Sequence, residues 1–496
     1  GSILVGAVHD YTALVLSAQH QGESVPAITE SALGKSARII FSLFVFLTLI
    51  LIVAVFAAVA GKTLAVTPEV VLPTFGLIVV AVIVGFLIYR VRLNMFLCSA
   101  IGLALLFALI IAGFKFPISL PIEAATPAEA QAIAAKWWTV ILLVYGLVAS
   151  VTPVTILLQP RDHLAAGVLF FGMVIGFGGV LVSRPAIHAP AVVQFDSSKG
   201  WLWPMLFVTV ACGAVSGFHS LVASGTSSKQ LPTMKDARPV GYGAMIMESG
   251  LSILAVLAVT AGLFWKAPPA GMSGPVYQEV FSSGGWIKAF GVGYGNLTGE
   301  LLSALRLDGL VTMLGVEKAG TGAALGMLLG ITMLKTFVMT TLDSATRITR
   351  YITGELFGDT LGIRLLKNKY VATLLVGVLA GALALGNWKA IWPVFGSSNQ
   401  LIASLVLIVA SVYLLQRGRR FWFVAIPGAL MLVTTMAALV YQSYTFLTAD
   451  EPEILLAVVA IVLMALGLVV LFQGIAALRR ARDGQRTVGT APSGAE

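Results

Sequence analysis

The sequence predicts an all-α polytopic membrane protein, and three observations carry that prediction. Hydrophobic residues make up 58% of the 496 and charged residues 11%, against about 25% charged in a soluble domain, and mean hydropathy is +0.96. Apolar stretches near the ~20 residues needed to cross hydrocarbon recur from one end of the chain to the other. Lys and Arg stand singly at the ends of those stretches. The net charge of +9 therefore reads as an orientation signal rather than a nucleic-acid surface.

In chain order, spans are expected at about 1–19, 38–61, 70–90, 95–115, 137–158, 163–182, 204–222, 240–265, 321–342, 369–386, 399–416, 420–441 and 454–474, about thirteen in one bundle over 1–478. Counting back from Arg479, Arg480, Arg482 and Arg486, alternate connections are basic: Arg417, Arg419 and Arg420, then Arg347, Arg350, Arg364, Lys367 and Lys369, then Lys229, Lys235 and Arg238. The connection "QSYTFLTADEPE" carries Asp450, Glu451 and Glu453 and no base. By the positive-inside rule the C-terminus is cytoplasmic and residue 1 lies near the outer side of the membrane. The 266–320 segment reads as a long extracytoplasmic connection with short helices, and 479–496 as a disordered cytoplasmic tail.

Several signals lead nowhere. Cys98 and Cys212 both sit in apolar runs, so neither a disulfide framework nor a thiolate metal site is expected. "GVGYGN" lacks the preceding strand of a dinucleotide-binding turn. The opening "GSILVGAVHDY" has no basic n-region and no initiator Met, so it does not read as a signal peptide, and a chain incomplete at its N-terminus is expected.

The informative residues are polar ones where lipid should be, because irregular backbone and ionisable groups at membrane depth survive only against protein or water. In "ACGAVSGFHSLVASGTSSKQL", residues 211–231, Gly213, Ser216, Gly217, Ser220 and Ser224 recur at helical spacing as one small, weakly polar stripe. Close helix packing explains the glycines. His219 adds an imidazole, and Gly225 and Thr226 begin a hydroxyl-rich end, so a discontinuous helix lining a polar cavity is expected. A second break is expected in "IWPVFGSSNQLIAS", where Pro393 and Gly396 would free Ser397, Ser398, Asn399 and Gln400. The alternative there is an ordinary turn and helix cap.

Glu248 lies roughly 12 Å inside its span at 1.5 Å per residue, so it is paired or protonated, and is the leading proton-coupling candidate. Asp343 sits four residues before Arg347, a spacing that an N-cap with an i,i+4 ion pair also explains. In "LLQPRDHL", Arg161 and Asp162 mark a helix junction where Arg161 also fits an orientation signal. Asp10 is a further acid within an apolar run.

Six stretches in this order, "GAVHDYTALVLSAQHQGESV", "LLQPRDHLAAG", the 211–231 segment, "GYGAMIMESGLSILA", "TTLDSATRITRY" and "IWPVFGSSNQLIAS", resemble the carbon starvation protein A family of bacterial inner-membrane transporters. The likeness covers essentially the whole chain. It implies uptake of short peptides or, in some members, of pyruvate during starvation, and a LeuT-like core of two inverted five-helix repeats with broken helices plus peripheral helices. It places Ser216, His219, Ser220 and Thr226 in the family's Gly-rich broken helix, and Glu248, Asp343, Arg347, Asn399 and Gln400 in its other polar motifs. The His- and Gly-rich helix that the family carries upstream has no counterpart in this sequence.

The expectation is therefore a multi-pass inner-membrane secondary transporter, not an enzyme, driven by a proton or sodium gradient and needing no bound cofactor or metal. Substrate would meet Ser216, His219, Ser220, Thr226, Ser398, Asn399 and Gln400. Protons would use Glu248, Asp343 and Asp10. Gly213, Gly217, Gly225, Pro393, Gly396, Arg161, Asp162 and Arg347 would shape and gate the path. A membrane sensor binding the same nutrient is the competing class, and the short polar tail argues against it. A haem-bearing redox subunit is disfavoured by the five His residues, no two of which lie four apart on one span.

Overall fold

The computed structural model describes residues 1–197, 200–210, 213–268, 273–307, 309, 321–386 and 388–489. A wide turn at Ser2–Gly6 leads into α1 (Ala7–Gln19), α2 (Val25–Leu33), α3 (Lys35–Val66), α4 (Val71–Tyr89), α5 (Met95–Lys115), α6 (Pro127–Val151) and α7 (Leu158–Ser183). After the 184–201 connection come the single turn α8 (Phe207–Thr209), then α9 (Gly217–Gly225), α10 (Ala244–Thr260), α11 (Tyr277–Ala304), α12 (Thr321–Thr353), α13 (Lys369–Leu385), α14 (Trp388–Gln416), α15 (Trp422–Thr448) and α16 (Ile454–Gly489). Helix starts follow local chemistry. The Ser24 and Thr126 hydroxyls accept the Ala27 and Glu129 amides, each with Pro in the first turn, and Asn94 and Asn368 cap α5 and α13.

Ten helices among the described residues are long and apolar enough to cross a membrane, not thirteen. The other three apolar runs behave differently. The first becomes the 13-residue α1, the seventh is broken between α8 and α9, and the tenth is the 17-residue α13. Burial sorts centre from rim: 89% of the most apolar part of α14 and 72% of those of α3 and α12 are enclosed by protein, against 22% for α5 and 17% for the span that holds α10. The last group faces outward, as lipid-exposed helices do.

Four expectations need correction. The 266–320 connection contains α11, a 28-residue helix kinked at Gly285, where φ is 74°. Hydropathy passes over it because glycine is neither apolar nor polar on such scales. Its glycines let it pack at short range: a Cβ at Gly291 would land on Ile331, one at Gly293 on the Ala258 carbonyl, and one at Gly295 on the Ala323 carbonyl. The Tyr294 hydroxyl, with no exposed surface, donates to the Gly172 carbonyl of α7 at 2.6 Å.

Secondly, "IWPVFGSSNQLIAS" is not a break. The helix α14 runs through it with Pro393 inside. Its polar groups pair with neighbouring segments rather than line an unwound gap: Gln442 Nε2 donates to the Pro393 carbonyl at 3.1 Å, and Gln400 Nε2 to the Phe207 carbonyl at 2.9 Å. Thirdly, Asp343 is no N-cap, because α12 runs from Thr321 to Thr353 through it, and the cation it pairs with is Arg161 of α7 rather than Arg347. Fourthly, the expected tail does not begin at 479. The helix α16 continues to Gly489, and residues 490–496 lie outside the described residues, as does Cys212.

Candidate functional site

The chain does break within 211–231, upstream of His219. Ser216 is extended, with φ −131° and ψ 124°, and α9 starts at Gly217. The five-residue stripe expected there thus reduces to Gly217, Ser220 and Ser224 on one short helix. Glycine is required at 217, since a Cβ would strike the Asn399 carbonyl oxygen and Ile402 of α14. The Asn399 side chain then spans the break: Oδ1 accepts the Phe218 amide at 2.8 Å and Nδ2 donates to Ser216 Oγ at 3.0 Å. One turn of α9 is capped by a side chain more than 180 residues away in sequence.

That cap aims His219 between two acids. Its Nδ1 lies 2.9 Å from Asp10 Oδ2 on α1, and its Nε2 lies 3.4 Å from Glu248 Oε2 on α10. Asp10 Oδ1 is held at 2.8 Å by His9 Nδ1. Four ionisable groups thus form a chain, His9, Asp10, His219, Glu248, across three segments. A neutral imidazole donates from one nitrogen only, so His219 can donate to both acids at once only when protonated.

The chain faces a cavity of about 390 Å³ between α1, α3, α7, α9, α10, α12 and α14. Asp10, Asp162, Ser216, His219, Glu248 and Asn399 line it together with apolar side chains such as Phe56, Met333, Phe337 and Phe395. No Lys or Arg lines it among the described residues. A smaller cavity of about 60 Å³ adjoins it, bounded by Pro393, Gly396 and Trp392, and shares Phe56, Phe395 and Asn399 with the first.

The remaining predicted residues stand back from this space. Ser220 donates to the Gly217 carbonyl at 2.6 Å, Ser398 to the Phe395 carbonyl at 3.1 Å, and Gln400 to α8, all buried. Thr226 ends α9 after Gly225, and Gly213 lies against Ser252 of α10. Asp343 is fully buried behind the cavity wall, ion-paired to Arg161 and accepting the Tyr145 hydroxyl at 2.8 Å. Arg161 also donates to Tyr145 at 2.8 Å and, through Nη2, to Asp162 Oδ1 at 2.7 Å. Arg347 donates to the Ala149 carbonyl at 2.7 Å and to that of Thr152, closing the end of α6.

Sequence reasoning passed over His9, Tyr145 and Lys335. Lys335 is wholly buried, and its ammonium donates to the Ala60 carbonyl of α3. A lysine within "GMLLGITMLKTFVMTTL" was signal enough to single it out. His9, an imidazole beside Asp10 in the same apolar run, carried that signal too; Tyr145 had none beyond residue type.

Ten apolar spans and a cavity lined by an acid–imidazole–acid contact define a multi-pass membrane protein. The model of the family described as carbon starvation protein CstA matches residues 1–438, and the chain belongs to that family. Its relatives include the pyruvate/proton symporter BtsT of Escherichia coli, 29% identical over 88% of this chain and 69% of its own. The peptide transporter CstA of Escherichia coli is 30% identical over 88% and 68%, and that of Campylobacter jejuni 28% over 88% and 67%. Among solved structures, a manganese transporter of Eremococcus coleocola aligns with 96% of the chain and 95% of its own at 15% identity and a TM-score of 0.38, a likeness too low to bear on function.

Proposed function

We infer that the protein is a proton-coupled importer of short peptides. The observation that carries this reading is the composition of the cavity wall: three carboxylates, one imidazole, and no Lys or Arg among the described residues. A substrate bearing an ammonium finds partners there. A bare carboxylate such as pyruvate meets like charge, and the Phe218 amide that could receive it is already taken by Asn399. The cavity, about 390 Å³, is also far larger than a three-carbon acid requires.

His219, shared by Asp10 and Glu248, is the group through which a proton passes between the two acids, and Ser216 and Asn399 hold the end of α9 that presents it. Transport follows alternating access, with one inverted repeat of a LeuT-like core rocking against the other around the cavity. The distribution of Lys and Arg supports a cytoplasmic C-terminus.

The test is uptake of labelled Ala-Ala and of labelled pyruvate into proteoliposomes carrying the full-length protein, with and without an inward proton gradient. Accumulation of Ala-Ala that needs the gradient supports the reading. Pyruvate accumulation with no Ala-Ala uptake, or specific binding of either without accumulation, overturns it.

A further inference from the structure

We propose that Asp162 is the carboxylate that receives the ammonium of the substrate, while the His219 chain is kept for the proton; this assignment rests on the peptide reading above. Three acids line the cavity, and their surroundings differ. Asp10 has both oxygens engaged, Oδ1 by His9 at 2.8 Å and Oδ2 by His219 at 2.9 Å, and its side chain is 11% exposed. Glu248 turns Oε2 toward His219 and is 19% exposed. Asp162 is 46% exposed, and only Oδ1 is engaged, by Arg161 Nη2 at 2.7 Å. Oδ2 has no partner among the described residues. Asp162 is the most exposed of the three cavity acids; Glu248 also keeps Oε1 without a partner among the described residues, but it is less exposed and its other oxygen is turned to His219.

Arg161 pairs with Asp162 from behind the wall, and it is shared with a second acid. Arg161 is 1% exposed, and its Nη1 is held behind the wall by Asp343, itself fully buried, and by Tyr145 at 2.8 Å. One guanidinium is divided between a buried acid and a cavity acid, which pins Oδ1 of Asp162 and leaves Oδ2 unengaged on a residue that lines the cavity. Arg161 and Asp343 are positioning residues in this arrangement, and they touch no substrate. The division of labour is spatial: Asp162 stands on α7, and the His219 chain on α1, α9 and α10.

The decisive comparison uses Ala-Ala, which carries an ammonium, and N-acetyl-Ala-Ala, which does not, on the full-length wild type, Asp162→Asn and Asp162→Glu in proteoliposomes. The wild type is expected to prefer Ala-Ala. In Asp162→Asn the ratio of kcat/KM for the two peptides falls at least tenfold, chiefly through KM for Ala-Ala, while uptake of what is transported still depends on the proton gradient. Asp162→Glu restores preference at reduced affinity. Preference undiminished in Asp162→Asn overturns the assignment and leaves the peptide reading standing. A wild type that takes both peptides without preference likewise overturns the assignment and leaves the peptide reading standing; one that takes neither overturns the peptide reading itself. Should Asp162→Asn fail to fold, Asp162→Glu decides alone: its Ala-Ala KM is expected to rise at least threefold, and an unchanged KM sinks the proposal.

Discussion

Replacing Arg161 with Met tests the arrangement behind the cavity wall. The substitution keeps the apolar stem and removes the guanidinium from two acids with very different surroundings. Asp162 lines the cavity and is 46% exposed, so water takes over its charge at little cost. Asp343 is fully buried; it retains the Tyr145 hydroxyl on Oδ2, while Oδ1 already lacks a partner. The cost therefore falls almost wholly on Asp343, and removing one member of a buried ion pair costs about 3–5 kcal/mol. Asp343→Asn is milder, about 1–3 kcal/mol, because Arg161 keeps Asp162 and the amide can still accept from Tyr145. The double variant Arg161→Met/Asp343→Leu removes both charges and is expected to recover at least about 2 kcal/mol relative to Arg161→Met. Equilibrium unfolding in mixed detergent and SDS micelles, followed by tryptophan fluorescence, measures all three. A loss below about 1 kcal/mol in Arg161→Met, or a double variant no more stable than that single one, would refute the reasoning.

Glu248→Gln is expected to preserve exchange of Ala-Ala across the membrane while abolishing accumulation driven by the proton gradient, because the amide keeps the shape of the cavity and cannot carry the proton; undiminished accumulation in vesicles removes Glu248 from that role. Asn399→Ala takes away the cap on α9 and the partner of Ser216, so stability falls by about 1 kcal/mol and Ala-Ala uptake falls with it, measured by unfolding and vesicle assays on the same preparation. Gly293→Val drives a side chain into the Ala258 carbonyl of α10 and is expected to cost about 1–3 kcal/mol or more; a variant as stable as wild type would show that α10 and α11 do not pack this closely. Lys335→Met exchanges a wholly buried ammonium with one backbone acceptor for an apolar chain of similar length, and unfolding is expected to require at least as much denaturant as in the wild type.

The residues divide according to how far their partners lie along the chain. His219, Glu248 and Asp10 drew attention because ionisable groups in apolar runs are expensive wherever the run folds. Nothing in the sequence says that His219 lies between the other two, since that contact joins residues 209 positions apart. Asp343 shows the opposite outcome. Its spacing to Arg347 offered a local pair, and the partner it takes instead, Arg161, is 182 positions away. In "IWPVFGSSNQLIAS" the proline and hydroxyls signalled broken backbone, yet the helix runs on and its polar groups pair with Gln442 and α8. The helix α11 escaped notice because its glycines contribute close contact, which a hydropathy scale does not measure.

Composition and the order of short motifs were enough to establish a membrane-embedded helical chain and its family, because the solvent a segment must face is written into the segment itself. Which polar groups share a cavity, which acid keeps an open oxygen, and which charges are sealed behind the wall depend on helices brought together from distant parts of the chain. Burial and pairing are properties of that packing, and only the tertiary structure decided them.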